Sequence, residues 1–144
     1  MRTVQQLMDM SGRTALITGA TGGLGQYMAE TIAELGGDLI LVDKPDSSYT
    51  SLVEILKKNK VKIQCIDCDF EDSEQRTNLI KIIYNKNIPV DVLINNAAFG
   101  GMTDLHGWTT LFEEQTIDTW RRAIEVNLTA AFDLSKGLLP KLKQ

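Results

Sequence analysis

An apolar run, Thr14–Ile17, passes through Thr18-Gly19-Ala20-Thr21-Gly22-Gly23-Leu24-Gly25 into a segment whose apolar residues recur at helical spacing. Nothing else in the 144 residues limits the fold so sharply. A strand that turns through glycines into a helix leaves the first N–H groups of that helix without partners. It also presents the positive end of the helix dipole, and both features suit an anion. Gly19 suits the tight turn, Gly23 lets the backbone come close to a pyrophosphate, and Gly25 lets the helix pack against the strand. Glycine clusters occur in many ordinary turns, so the acid ending the next apolar run, Leu39-Ile40-Leu41-Val42-Asp43, carries equal weight. Asp43 stands 18 positions after Gly25. That is close to where a dinucleotide-binding βαβ unit places the carboxylate that accepts hydrogen bonds from the adenosine ribose.

The alternation continues along the chain. Thr14–Thr18 reads as a first strand, and Leu24, Met28, Ile32 and Leu35 as the buried face of a first helix that Gly36-Gly37 stops. Leu39–Val42 is a second strand, after which Ser47 or Ser48 can cap a helix buried through Leu52, Ile55 and Leu56. Val61–Ile66 is a third strand, and Asp72 with Gln75 resembles a capping box opening a helix with Leu79, Ile80 and Ile83 inside. Val90–Ile94 follows Pro89 as a fourth strand. A polar, glycine-containing loop runs from about Phe99 to Gln115. Thr116 then caps a long helix with the stripe Trp120, Ile124, Leu128, Ala131, Phe132, Ser135, Leu138 and Leu142. Strands alternating with helices predict a single α/β domain over residues 1–144: a Rossmann-type, doubly wound parallel sheet with helices on both faces.

Composition narrows the function classes. The chain is 43% hydrophobic and 24% charged, which suits one globular domain with a real core. A net charge of −4 and a pI near 5.0 argue against a nucleic-acid or anionic-membrane surface. Lys57, Lys58, Lys60 and Lys62 fall at a helix end and read as a solvated face. No stretch approaches the ~20 apolar residues of a membrane span. The first residues lack an apolar signal core, so a cytoplasmic protein is expected. Cys65 and Cys68 have redox spacing but no second ligand pair, and read as two reduced structural thiols with no metal site.

In such sheets ligands bind outside the carboxyl ends of the strands. The four ends carry the glycine segment, Asp43, Asp67-Cys68-Asp69-Phe70 and Asn95-Asn96-Ala97-Ala98. With Val126-Asn127-Leu128 in the long helix, these five motifs in this order resemble the short-chain dehydrogenase/reductase family, over essentially the whole chain from Ser11-Gly12 onward. Because Gly22 and Gly23 are both present, the glycine segment fits the spacing of the ordinary branch and also that of the extended branch, which includes sugar-nucleotide epimerases. Asn95-Asn96-Ala97-Ala98 decides for the ordinary branch, with Ala98 in place of the usual glycine, and disfavours a methyltransferase. By position, the resemblance implies that Gly19, Thr21, Gly22, Gly23, Leu24 and Gly25 hold the pyrophosphate. It puts Asp43 on the adenosine ribose, Asp69 on the adenine amino group with the Phe70 backbone beside it, and Asn96, Ala97 and Ala98 along the nicotinamide-side ribose. Asn95 is expected to tie the strand ends together. Asn127 matches the family's active-site asparagine, which helps hold a water for the proton relay, and is the catalytic candidate. Asn127-Leu128-Thr129 also spells a glycosylation sequon, but in mid-helix it is discounted.

The implied activity is NAD(H)-dependent hydride transfer between a nicotinamide and an alcohol/carbonyl substrate. NAD is expected over NADP because Asp43 puts a carboxylate where a 2′-phosphate would sit, and Gly22 stands where NADP-preferring relatives often carry a basic residue. The family's acid is a tyrosine with a lysine four positions later and a serine upstream. Here Tyr27, Tyr49 and Tyr84 are followed at that distance by Thr31, Val53 and Ile88. The expectation is therefore a cofactor-binding portion, truncated after the long helix that follows the fourth strand and inactive alone. A non-catalytic nucleotide-binding module or degenerate paralogue is the alternative. The fourth strand would be a bare edge, covered by the missing half or by association. The helix at 116–143 is the usual subunit contact of the family, which implies a homo-oligomer and makes Trp120 core or interface. His106, Trp108 and Met102 lie in the loop that borders the family's substrate space.

Overall fold

Alternate residues of the central strands sort the core into two layers. The computed structural model describes residues 3–100 and 106–143. Four parallel strands, β1 (Thr14–Thr18), β2 (Asp38–Asp43), β3 (Ile63–Asp67) and β4 (Val92–Ile94), lie in the order β3-β2-β1-β4. Helices α1 (Val4–Met8), α2 (Gly23–Glu34), α3 (Thr50–Leu56) and α4 (Ser73–Asn85) precede a long helical stretch. That stretch comprises α5 (Ile117–Ile124), a π-helical turn at Glu125–Thr129, and α6 (Ala130–Leu142). Ala15, Ile17, Leu39 and Leu41 pack with Ala29, Ala33, Leu52 and Leu56 on the α2–α3 side. Leu16, Ile40 and Val42 pack with Leu79, Ile83, Ala130, Leu134 and Leu138 on the α4–α6 side. Each fully buried Leu, Ile or Val contributes about 1.5–3 kcal/mol. Residues 14–18 and 39–42 are buried along their whole length, so β1 and β2 are the rigid centre from which the strand ends project.

The expected topology and the edge position of β4 hold, with Val92, Leu93 and Ile94 half-buried. β4 begins two residues later than expected, and β3 is shifted toward its end by one or two residues. The Asp72 side chain caps α4 by accepting from the Glu74 and Gln75 N–H groups, and Thr116 caps α5 by accepting from Thr119 N–H. Gly36, at φ +85°, closes α2. Lys57 and Lys58 lie exposed beside Glu54 and Glu34.

Three helix faces differ from expectation. α2 buries Gly25, Ala29 and Ala33, whereas Leu24 is 70% exposed and Met28, Ile32 and Leu35 are half-buried. A Cβ at Gly25 would lie 2.2 Å from the Gly19 carbonyl oxygen, so the helix comes close enough to the turn that only small residues fit. The long helix buries Thr119, Ala123, Val126, Ala130, Leu134 and Leu138. Of the expected stripe only Leu138 is fully buried, while Trp120, Ile124, Leu128 and Phe132 line the outer face. The helix carries two apolar faces, and the π turn shifts the phase between its halves. α3 has Tyr49 at its N-cap without a side-chain cap, and Ile55 is exposed. Ser47 turns to Asp43 instead.

Candidate functional site

The glycine segment builds an open helix terminus. Gly19 has φ +64°, and a Cβ there would meet Ala97 Cα at 2.9 Å, so the turns leaving β1 and β4 touch. Gly22 is the N-cap of α2 and has no side chain to cap with; Gly23 and Leu24 are exposed at the first turn. A Cβ at Gly23 would have nothing within 4 Å. The first turn of α2 thus lacks a side-chain cap and is exposed at Gly23 and Leu24, with a positive dipole end behind it, which suits an anion.

Asp43 is wired to this segment. Its Oδ2 accepts from Thr21 N–H at 2.8 Å and from Thr21 Oγ1 at 2.7 Å. Its Oδ1 accepts from Lys44 N–H at 2.9 Å and from Ser47 Oγ at 3.3 Å. The Tyr49 hydroxyl accepts from Asp43 N–H at 2.9 Å and donates to the Ile66 carbonyl at 3.0 Å, joining the ends of β2 and β3. Burial pushes that phenol well above its usual range. Beyond Asp43 opens a shallow cavity of about 590 Å³, whose lining includes Asp46, Ser47, Ser48, Thr50 and Glu54: two acids and no base.

After β3, the Asp69 carboxylate accepts from Glu71 N–H at 2.9 Å, while its own N–H donates to Gln75 Oε1 at 2.8 Å. The Phe70 ring is buried. Arg122 holds Glu71 through two bonds of 2.7 and 2.9 Å, which pulls the Glu71 carboxyl below its usual range. The guanidinium of Arg122 also stands 5.8 Å from the Phe99 ring centroid.

At the end of β4 the tie expected of Asn95 falls on its neighbour. Asn96, rather than Asn95, ties the strand ends. Its N–H donates to Thr18 Oγ1 at 2.9 Å, and its side-chain amide donates to the Thr18 and Gly19 carbonyls at 2.9 and 3.1 Å. Ala97 N–H also donates to Thr18 Oγ1 at 2.9 Å. Asn95 reaches Ser135 Oγ of α6 at 3.2 Å. Ala98 is exposed beside them. Asn127 sits inside the π turn, a local geometry frequent at functional sites. Its Oδ1 accepts from Phe99 N–H at 2.8 Å, and its Nδ2 donates to the Phe99 carbonyl at 3.4 Å. Thr18, Phe70, Asn95, Val126 and Asn127 are among the walls of a cavity of about 20 Å³. That volume suits a single water molecule.

The expected site residues therefore gather along one edge, at the carboxyl ends of all four strands and at the long helix facing β4. His106 is exposed, and its carbonyl accepts from Thr119 Oγ1 at 2.7 Å. Trp108 is half-buried, and Met102 lies outside the described residues. Cys65 and Cys68 are free thiols, the first exposed in β3 and the second buried just after it; burial pushes Cys68 up to about 12 and also raises Cys65. Sequence reasoning missed Arg76, whose side chain is 3% exposed. It bonds the Phe70 carbonyl at 2.6 Å, Glu125 Oε1 at 2.6 Å and Asp133 Oδ2 at 2.9 Å. Its signal was available: Arg76 stands three and seven positions before Leu79 and Ile83, on the buried face of α4.

Comparison with known proteins gives the family and the fold. The profile described as short chain dehydrogenase matches residues 13–144. The 3-oxoacyl-(acyl-carrier-protein) reductase FabG of Rickettsia felis is 31% identical over 139 residues, covering 96% of this chain and 52% of that protein. The NADPH-dependent 3-quinuclidinone reductase of Rhodotorula rubra superposes with a TM-score of 0.83 at 26% identity, over 99% of this chain and 52% of the other. A 3-oxoacyl (acyl-carrier-protein) reductase of Agrobacterium tumefaciens with NADP bound gives a TM-score of 0.83 at 25% identity, over 97% and 51%. The chain spans about half the length of the curated relatives it matches.

Proposed function

This chain belongs to the short-chain dehydrogenase family, and on that premise we propose that it is the cofactor-binding portion of an NAD(H)-dependent oxidoreductase acting on an alcohol/carbonyl pair. The observation that carries the reading is the uncapped start of α2 at Gly22-Gly23, with Asp43 bonded to Thr21 beside it. The residues present fit a dinucleotide. Nothing lies within 4 Å of where a Cβ at Gly23 would stand, which leaves room for a pyrophosphate, and the Asp43 carboxylate stands where a ribose hydroxyl can exchange with the long Ser47 contact. Asp69 and the Phe70 backbone would take the adenine side. Ala97 and Ala98 would line the nicotinamide side, with Asn96 holding that segment to β1. When bound, the nicotinamide supplies the hydride donor or acceptor. Asn127 fixes the Phe99 backbone next to the small cavity, where a water relaying a proton has room.

We assign NAD rather than NADP, although both solved structures compared above are described with NADPH or NADP. A 2′-phosphate next to Asp43 would face a carboxylate and, beyond it, Asp46 and Glu54. Two unit charges ~4 Å apart at an effective dielectric of ~20 repel by roughly 4 kcal/mol, which solvent and the neighbouring Lys44 reduce. A net preference of about 1.5–3 kcal/mol corresponds to about ten- to a hundredfold in affinity. Titration with NADH and NADPH at one ionic strength tests this, and Asp43→Asn should narrow the gap mainly by strengthening NADPH. Equal affinities in the unaltered chain would refute the assignment of Asp43.

No tyrosine of the chain has a lysine four positions later. The 144-residue chain is therefore expected to bind cofactor without turnover. Hydride transfer followed at the NADH absorbance band would contradict that. The same feature supports the second reading, a nucleotide-binding module without catalysis. We further propose self-association through the outer face of the 116–143 helix, where Trp120, Ile124, Leu128 and Phe132 are exposed. Two free thiols suit a reducing compartment such as the cytoplasm. Among the described residues no helix is long and apolar enough to cross a membrane.

A further inference from the structure

Arg76 does more than fill the core. One guanidinium reaches three separate places: the Phe70 carbonyl after β3, Glu125 at the first residue of the π turn, and Asp133 four residues beyond its end. Glu125 and Asp133 are 36% and 38% exposed, while Arg76 itself is 3% exposed, so the buried partner is the cation. Burial alone would lower the pKa of the guanidinium. The hydrogen bonds to Glu125 and Asp133 reverse this and raise it, so the group stays charged. A lysine could not reproduce the arrangement, because its three donors radiate from one nitrogen, whereas Arg76 uses Nε, Nη1 and Nη2 separately to reach its three acceptors.

The three anchors share a consequence. A π turn is a local departure from α geometry that packing must hold in place, and Arg76 grips the helix at the start of that turn and beyond it. Asn127, inside the turn, grips the Phe99 backbone at the exit of β4. Phe70 and Asn127 also both line the cavity of about 20 Å³. We propose that Arg76 is a positioning residue: it locks the Phe70 segment to the π turn and, through the Asn127–Phe99 pair, fixes the segment leaving β4. On the reading of these strand ends as the cofactor site, one buried cation sets its adenine side and its nicotinamide side against each other.

Amide hydrogen exchange tests the link without any cofactor. In Arg76→Met the Phe99 amide should lose protection about tenfold or more beyond any loss at the Leu16 and Ile40 amides, as in Asn127→Ala; Arg76→Lys should fall between. NADH affinity should drop about tenfold in Arg76→Met, and Arg76→Met/Asn127→Ala should bind no more than about threefold more weakly than Asn127→Ala alone. If Arg76→Met does not fold, Arg76→Lys and Asp133→Asn carry the same comparison. A uniform loss of protection across the sheet, or additive losses of affinity, would overturn the proposal by reducing Arg76 to a stabilising residue. A chain that bound no NADH would overturn the cofactor reading, while Phe99 exchange would still decide the positioning role.

Discussion

Gly23 and Gly25, two positions apart at the start of α2, should respond to the same added methyl with opposite signs. Replacing an interior helical glycine by alanine normally stabilises by about 0.8–1 kcal/mol. At Gly25 the new Cβ would lie 2.2 Å from the Gly19 carbonyl oxygen and 2.8 Å from Ala20 Cα, both backbone atoms that no rotamer change can move. Overpacking typically costs 1–3 kcal/mol, and a contact this short belongs at the top of that range. Gly25→Ala should therefore lose about 1–2 kcal/mol net, with weaker NADH binding because the turn must shift. At Gly23 nothing lies within 4 Å, so Gly23→Ala should be as stable as the parent or slightly more so. Its methyl nevertheless occupies the space that a pyrophosphate needs, and NADH affinity should fall about tenfold or more. Thermal melts followed by circular dichroism, paired with NADH fluorescence titrations, separate the two. A Gly23→Ala chain that kept its affinity would refute the pyrophosphate role, and an undiminished melt of Gly25→Ala would refute the close approach.

Acid should expose the Glu71–Arg122 pair. A carboxyl held below its usual value of 4.5 contributes stability above that value and loses it as pH falls through the folded value, so the advantage over Glu71→Gln should shrink below about pH 4.5. Melts of both proteins from about pH 7 to about pH 3 check this, and a constant difference would contradict it. Cys68, pushed up to about 12 by burial, should resist an aromatic disulfide reagent until the chain unfolds, with Cys65 reacting first but slowly. Fast labelling of both thiols in the native state would revive a redox reading of their spacing.

The strand ends were legible because polar and small residues interrupt apolar runs at the points where the sheet stops. Which face each helix buries was less legible. Ala29 and Ala33 are weakly hydrophobic and lose to Leu24 and Leu35 in any apolar pattern, yet the closeness of α2 to its turn admits only small side chains. In the long helix Trp120 and Phe132 outweigh Ala123 and Ala130 for the same reason, and the π turn hides the true phase. That Asn96 rather than Asn95 ties the strand ends reflects extended chain, where neighbours point to opposite sides. Only the register of β4 against β1 decides which of them meets Thr18. Arg76 lay on a helical stripe, but its partners come from 49 and 57 residues away. No local pattern brings them together.

A nicotinamide dinucleotide should lie across the carboxyl ends of these four strands. Amide chemical shifts of the isotopically labelled chain, titrated with NAD, measure that residue by residue. The prediction is saturable shifts at residues 19–25, at Asp43, at Asp69 and Phe70, and at residues 96–99, with the outer helix face at Trp120 and Phe132 unmoved. Shifts confined to other surfaces, or none at millimolar NAD, would contradict it.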